Sequence, residues 1–357
     1  MPLSPSGAAQ PTGALLSGAF AFRPPARFTG LLDPAFFQQH ADRHQLAFGQ
    51  GDHATFNAPV TLGAWLTQVL SAAKSCTAAS ARVLVLCCSL GRPLPSAHNS
   101  AYGKARAKLP VPCLRDLATD LGRRLEDQAL PAWQWHGRPV RIVGGSIGLL
   151  PDSDANRQEY PQQRSQKRGT SYACLRLVVL LAFATGALLA AACGPYRGKK
   201  TGEISLFHSL LLGLRPGEIA LGDRYYGSYG LLALLADQQV DGCFRLPVGR
   251  EAEFGQGQAL GEDDYLHTWH KPACRPKWLD RETWQALPDT LQVRLVRFRL
   301  ARRGFRSERV YVVTTLLDAQ AYPREALAQL YRERWHVEMF HPHYPSSDSL
   351  YHQRRAA

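Results

Sequence analysis

The chain has 357 residues, with 42 Lys plus Arg against 29 Asp plus Glu and a formal net charge of +13. That length can bury a large core split into two or three units, and the arginine-led basic surplus suits a polyanionic partner. None of the eight cysteines stands in a C-x-x-C pair, which argues against a zinc site and for reduced, mostly buried thiols.

Residues 1–27 are rich in Pro, Ser and Gly and read as a flexible leader. They lack the basic start and long apolar run of a secretory signal. Residues 28–135 read as a helical domain, with helices at Asp33–His44, Leu62–Ala73, Ala78–Leu90, Asn99–Lys108 and Pro112–Gln128. In the fourth, Tyr102, Lys104, Arg106 and Lys108 make a basic and aromatic helix that either lies on DNA or is simply solvated.

Residues 136–239 read as a strand-rich core, with strands at Val140–Val143, Leu175–Phe183, Ala187–Cys193 and Ile219–Leu221. A turn is expected at Gly144-Gly145-Ser146. A crossover helix, Glu203–Leu212, is expected to be capped by Thr201, and a second helix runs over Tyr229–Gln238. The apolar run Leu177–Ala192 is short for a membrane span and broken by Ala184-Thr185-Gly186, so it reads as a hairpin of two buried strands. Asp223 follows the short strand Ile219–Leu221. It serves there either as a turn or cap residue or as a placed carboxylate.

Residues 240–315 hold further strand-like runs at Gly242–Leu246, Thr290–Arg299 and Val310–Thr315. Between them lies a polar stretch, Asp263–Pro288, with Trp269, Trp278 and Trp284. A final helix, Glu325–Phe340, carries Tyr331, Arg334 and Glu338 at i, i+3 and i+7, on one face. A phenol, an arginine and a carboxylate in one stripe suit a metal ion beside a gripped phosphate, or else an exposed ion pair.

Together these segments resemble the DDE transposases of the IS-four insertion-sequence family, from about Phe28 to Phe340. The resemblance rests on Val60-Thr61-Leu62-Gly63-Ala64-Trp65-Leu66, Ala101-Tyr102-Gly103-Lys104-Ala105-Arg106, Pro151-Asp152-Ser153, Gly194-Pro195-Tyr196-Arg197-Gly198, Leu221-Gly222-Asp223-Arg224-Tyr225-Tyr226, Val313-Thr314-Thr315-Leu316-Leu317 and Leu330 to Phe340. The last matches most of a Tyr, Arg, Glu, Lys signature. The resemblance implies an α/β (α+β) fold: a ribonuclease-H-like core with a β-rich insertion and an N-terminal helical DNA-binding domain. The 115 residues between Asp223 and Glu338 leave room for that insertion.

The same resemblance implies two magnesium ions held by three acids, two of them Asp223 and Glu338. Arg334 would grip a phosphate and Tyr331 the DNA backbone, with further DNA contacts from Tyr102, Lys104 and Arg106. Two departures stand out. The first acid's place is Gly144, and the signature lysine's place is Pro345. The tail from His341 resembles nothing in the family and reads as a frameshift or early end, with Trp335 and Phe340 left partly uncovered. The expected activity is cutting and joining of double-stranded DNA at transposon inverted-repeat ends, by a dimer, in the bacterial cytoplasm near the nucleoid, with no membrane association. Loss of the first acid points to an inactive copy. The alternative is a non-catalytic DNA-binding protein that occupies those ends or inhibits intact copies.

Overall fold

The structure is a computed structural model that describes residues 34–50, 54–89, 91, 98–161, 172–300 and 308–339, without the side chains of 34, 300, 308 and 335–339. The expected leader and the tail from His341 lie outside the described residues. The chain divides into two compact units, residues 1–125 and 126–357.

The first unit is helical: α1 (Pro34–Arg43), α2 (Ala58–Leu70), α3 (Cys76–Ser89), α4 (Ser100–Arg106) and α5 (Val111–Glu126). Asn57 caps α2 by accepting the Val60 N–H at 3.0 Å, and Pro59 near its start has no N–H to leave unsatisfied. Phe36, Phe37, Leu62, Leu66 and Leu117 form one apolar cluster, and Val60, Val83 and Tyr102 anchor another.

The second unit is built on one nine-stranded sheet in the order β3-β2-β1-β4-β5-β9-β8-β7-β6 among the described residues. Its first half comprises β1 (Val140–Leu149), β2 (Cys174–Ala182), β3 (Leu188–Pro195), β4 (Ile219–Gly222) and β5 (Asp241–Arg245). β1 to β3 run antiparallel, and β4 and β5 then run parallel to β1. Two helices make the crossovers, α7 (Glu203–His208) before β4 and α8 (Tyr229–Asp237) after it. A short helix, α6 (Asp154–Glu159), follows β1. The second half, β6 (Gln258–Gly261), β7 (Asp264–His270), β8 (Thr290–Leu300) and β9 (Glu308–Thr314), continues the sheet because β9 pairs antiparallel with β5. A short helix, α9 (Arg281–Ala286), precedes β8, and α10 (Arg324–Met339) closes the described fold. This is the mixed α/β, ribonuclease-H-like order.

Period-two alternation gives the sheet two apolar faces. Val143, Val178 and Leu180 pack with Leu206, Phe207, Leu231 and Leu235 of α7 and α8. Ile142, Leu221, Val296 and Val312 pack with Leu327, Leu330 and Tyr331 of α10. Each such side chain contributes about 1.5–3 kcal/mol on full burial. The two faces therefore fix the helices on opposite sides of β1 and β4. The Leu175–Cys193 hairpin forms as expected.

Three expectations are corrected. Gly144-Gly145-Ser146 is not a turn: β2 pairs with every residue of β1 from Arg141 to Leu149, so the strand runs straight through the glycines. Thr201 does not cap α7. The cap position is Gly202, without a side-chain acceptor, and the Thr201 hydroxyl donates to the Gly198 carbonyl at 3.3 Å. The helix also stops at His208 rather than Leu212, giving way to a separate tight turn over Leu211–Gly213. The polar stretch from Asp263 contains a full strand, β7, whose Trp269 is buried with Trp284 against the α8 side of the sheet.

Candidate functional site

The site lies where β1 and β4 reach their carboxyl ends. Their ladder pairs Val140 with Ile219, Arg141 with Ala220 and Ile142 with Leu221. Continued at the same offset, it sets position 144 level with Asp223. The strands approach so closely there that a β-carbon on Gly222 would stand 2.6 Å from Val143 Cγ1, so only glycine fits. Asp223 follows at once. It starts a tight turn over Arg224–Tyr226 and accepts the Arg224 N–H on Oδ1 at 2.6 Å. That one bond leaves most of the carboxylate's acceptor capacity open.

Strand alternation assigns faces. Gly144 shares the side of Ile142, toward α10, whereas Gly145 shares the side of Val143, toward α7. A β-carbon at Gly144 would meet no atom within 4 Å. One at Gly145 would stand 2.5 Å from Glu203 Cδ, so the Glu203 carboxyl rests against the bare strand. Burial pushes Glu203 above the usual carboxylate range. Arg176 opposes that rise, Asp223 adds to it and the Tyr226 hydroxyl draws it back. Arg176 is held in turn by the Tyr196 ring, 4.5 Å away, and by the Thr201 carbonyl, to which it donates at 2.8 Å.

On the other face, α10 brings Tyr331 and Arg334, both buried, the guanidinium 5.3 Å from the phenol ring centre. Burial pushes the Tyr331 phenol up to about 12, with Arg334 opposing and Asp223 reinforcing. Its hydroxyl has no hydrogen-bond partner among the described residues. Tyr226 is raised by burial first, then by Glu203 and Asp223, while Arg334 and Arg176 oppose. Asp223, Glu203, Tyr226, Tyr331 and Arg334 thus feel one another's charge in one place. Glu338 sits on the same helix, one turn past Arg334 and on its stripe, but its side chain lies outside the described residues.

The other expected contact residues behave differently. Tyr102 is fully buried, and its hydroxyl donates to Gln68 Oε1 at 2.6 Å, so it packs the first unit rather than facing outward. Lys104 and Arg106 are exposed. Asp152, a conceivable stand-in for the missing acid, is bound by Arg157 at 2.6 and 2.7 Å. Glu203 is not legible in the sequence as a site residue. Its only signal is position, as the first residue of the crossover helix that returns the chain from β3 to β4.

A family model described as "Transposase DDE domain" matches residues 140–341. That is more than half of the chain and contains every element of this site, and the chain belongs to the DDE transposase family, of the IS4 type. It is 25% identical over 245 residues to the transposase InsG for insertion sequence element IS4 of Escherichia coli (strain K12), covering 69% of this chain and 52% of the relative. To the putative transposase InsZ of the same organism it is 33% identical over 157 residues, 42% of this chain and 50% of the relative. The chain therefore spans about half the length of these relatives.

Divalent metal is typical of this family. Gly144 offers no ligand, and no group of three or more His, Cys, Asp or Glu side chains among the described residues is arranged to hold a metal. Two carboxylates do converge, Asp223 and Glu203, beside the unpartnered Tyr331 hydroxyl. Magnesium is commonly held by one or two carboxylates with waters and phosphate oxygens completing its shell. The residues present fit one such ion, not the pair bridged by a first acid.

Proposed function

We propose that this chain acts on DNA as an insertion-sequence transposase that binds the inverted-repeat ends of its element, and that it cuts them poorly or not at all. The observation behind this reading is the level placement of Asp223 and position 144 at the carboxyl ends of neighbouring parallel strands. Open α/β sheets place ligands outside those ends, and Tyr331 and Arg334 close the same place from α10. Arg334 suits a bidentate phosphate contact. The Tyr331 hydroxyl is positioned to donate to a sugar or phosphate oxygen. Asp223, with Glu338 of the same stripe, would hold divalent metal.

When bound, a divalent ion activates an attacking water or hydroxyl and steadies the leaving oxygen. The chain's own residues orient the phosphate and keep the site partly dry. The first carboxylate, expected to bridge two ions, is absent at Gly144. Its loss costs several orders of magnitude in rate if it removes several kcal/mol of transition-state stabilisation. That absence favours a second reading, a non-catalytic protein that occupies transposon ends and competes with intact copies. In either role we expect a dimer on DNA, acting in the cytoplasm near the nucleoid. No helix among the described residues is long and apolar enough to cross a membrane.

The test is a binding and nicking assay with the full chain, using a duplex carrying the element's end and a scrambled duplex of equal length. Preferential retention of the end duplex in chelator, without nicking on adding magnesium, is the expected result. Equal retention of both duplexes overturns end recognition, and ready nicking in magnesium overturns the loss of activity.

A further inference from the structure

Two adjacent glycines in β1 have opposite surroundings. Gly144 faces open space, whereas the place of a Gly145 side chain is filled by the carboxyl of Glu203, with Cδ 2.5 Å and Oε2 2.8 Å from where the β-carbon would be. Glu203 is thereby brought one residue from the position of the lost acid, on the adjoining face of the same strand. Its charge and that of Asp223 act on each other. Two carboxylates in a partly buried place repel each other unless a cation lies between or beside them. Arg176 does not answer that need, because its guanidinium is engaged by the Tyr196 ring and the Thr201 carbonyl. A separate feature points to a missing occupant: Tyr331 is 1% exposed, and its hydroxyl, in the field of Asp223, has no hydrogen-bond partner among the described residues.

We infer that Glu203 is a second acid of this site, and that with Asp223 it takes one divalent cation where the glycine at position 144 supplies no ligand. The inference rests on the proposed function, in which Asp223 is a metal-holding residue, and deepens it by naming a ligand from α7. One hard cation with two carboxylates matches the oxygen-rich, water-completed shell of magnesium or manganese. Such a site holds metal without being the two-ion centre, so metal binding and DNA cutting come apart in this chain. Gly145 then leaves room for the ligand, since any side chain there displaces the Glu203 carboxyl.

The experiment is a manganese titration of the full chain, with free Mn²⁺ read by electron paramagnetic resonance, which reports binding without any turnover. Four proteins are compared: unsubstituted, Asp223→Asn, Glu203→Gln and Gly145→Ala, each first checked by circular dichroism for an unchanged fold. The expected result is tight binding of one ion, abolished by Asp223→Asn and weakened about tenfold or more by Glu203→Gln, the usual scale for loss of a metal-supporting group. Gly145→Ala should weaken binding comparably while leaving every charge in place. Glu203→Asp, which keeps the charge on a shorter arm, should lie between. If Asp223→Asn abolishes binding while Glu203→Gln and Gly145→Ala stay within twofold of the unsubstituted protein, the role of Glu203 is overturned and the reading of Asp223 stands. If Asp223→Asn has no effect, that reading falls and takes the inference with it. Should Gly145→Ala fail to fold, Glu203→Gln alone decides.

Discussion

Arg294 of β8 is wholly buried and grips Asp264 of β7 side-on, Nε to Oδ1 at 2.7 Å and Nη2 to Oδ2 at 2.5 Å. Its remaining nitrogen, Nη1, donates to the carbonyls of Tyr322 at 2.8 Å and Leu316 at 3.3 Å, in the segment that leads into α10. One guanidinium thus ties two strands of the sheet to the base of the helix that carries Tyr331 and Arg334.

Removing one side of a buried, hydrogen-bonded ion pair strands the other, at a cost of about 3–5 kcal/mol. Arg294→Met and Asp264→Leu should each destabilise the second unit on that scale, read as a lowered melting temperature. Replacing both together is often neutral for a simple pair. Here the double variant should remain destabilised, because the Tyr322 and Leu316 carbonyls lose their donor. A double variant as stable as the unsubstituted protein would refute that assignment.

Gly144→Asp should be accepted by the fold. A β-carbon there meets nothing within 4 Å, and the strand's pairing uses backbone atoms alone. The poor strand propensity of Asp and the entropy gained by replacing Gly are each within about 1 kcal/mol and oppose each other. The melting temperature should therefore stay within a few degrees. The new carboxylate points to the α10 side, and metal-dependent nicking of end DNA should appear. A protein that folds normally but still fails to nick would show that the first acid is not the only missing part.

Acid should loosen the first unit through Asp120 of α5. Arg43 of α1 donates to its Oδ2 at 2.7 Å, and His40 Nε2 lies 3.2 Å from the same oxygen. Burial pushes this carboxyl up, but the Arg43 hydrogen bond and charge, with His40 and Arg123, hold it below its ordinary 3.8. A lowered folded value means that the stabilisation is present above the unfolded value and is lost as pH falls through the folded one. Asp120→Asn should thus be less stable than the parent at neutral pH, and the two should converge below roughly pH 3–4. Parallel melting curves recorded across that range check the sign.

Much of the architecture is legible in the sequence because its signals are local. Each helix of the first unit and the Leu175–Cys193 hairpin can be read from periodicity and from Gly and Pro breaks. What escapes that reading is long-range. Glycine marks turns more often than strands, so local pattern ends β1 at Val143, whereas pairing along all of β2 overrides that preference. β7 is hidden because it begins with the buried Asp264, a charge that pattern reading assigns to solvent until Arg294 is found opposite it. Tyr102 lies on the other face of α4 from the one its basic neighbours suggest. Tyr102 and Ala105 form the buried stripe of that helix, and Lys104 and Arg106 point away from it. Of the candidate site, Asp223, Tyr331 and Arg334 are readable from motif spacing. Glu203 requires knowing that α7 returns across β1.

The unlike surroundings of the site's glycines bear on how such a copy ages. Gly222 and Gly145 cannot acquire a side chain without disturbing their neighbours, so errors there are exposed as misfolding and removed by proteolysis. Position 144 is silent to that quality control: acid or glycine, the sheet closes the same way. A lineage can therefore lose its chemistry in one step and go on producing a well-folded protein, which still reaches the DNA its active ancestors used.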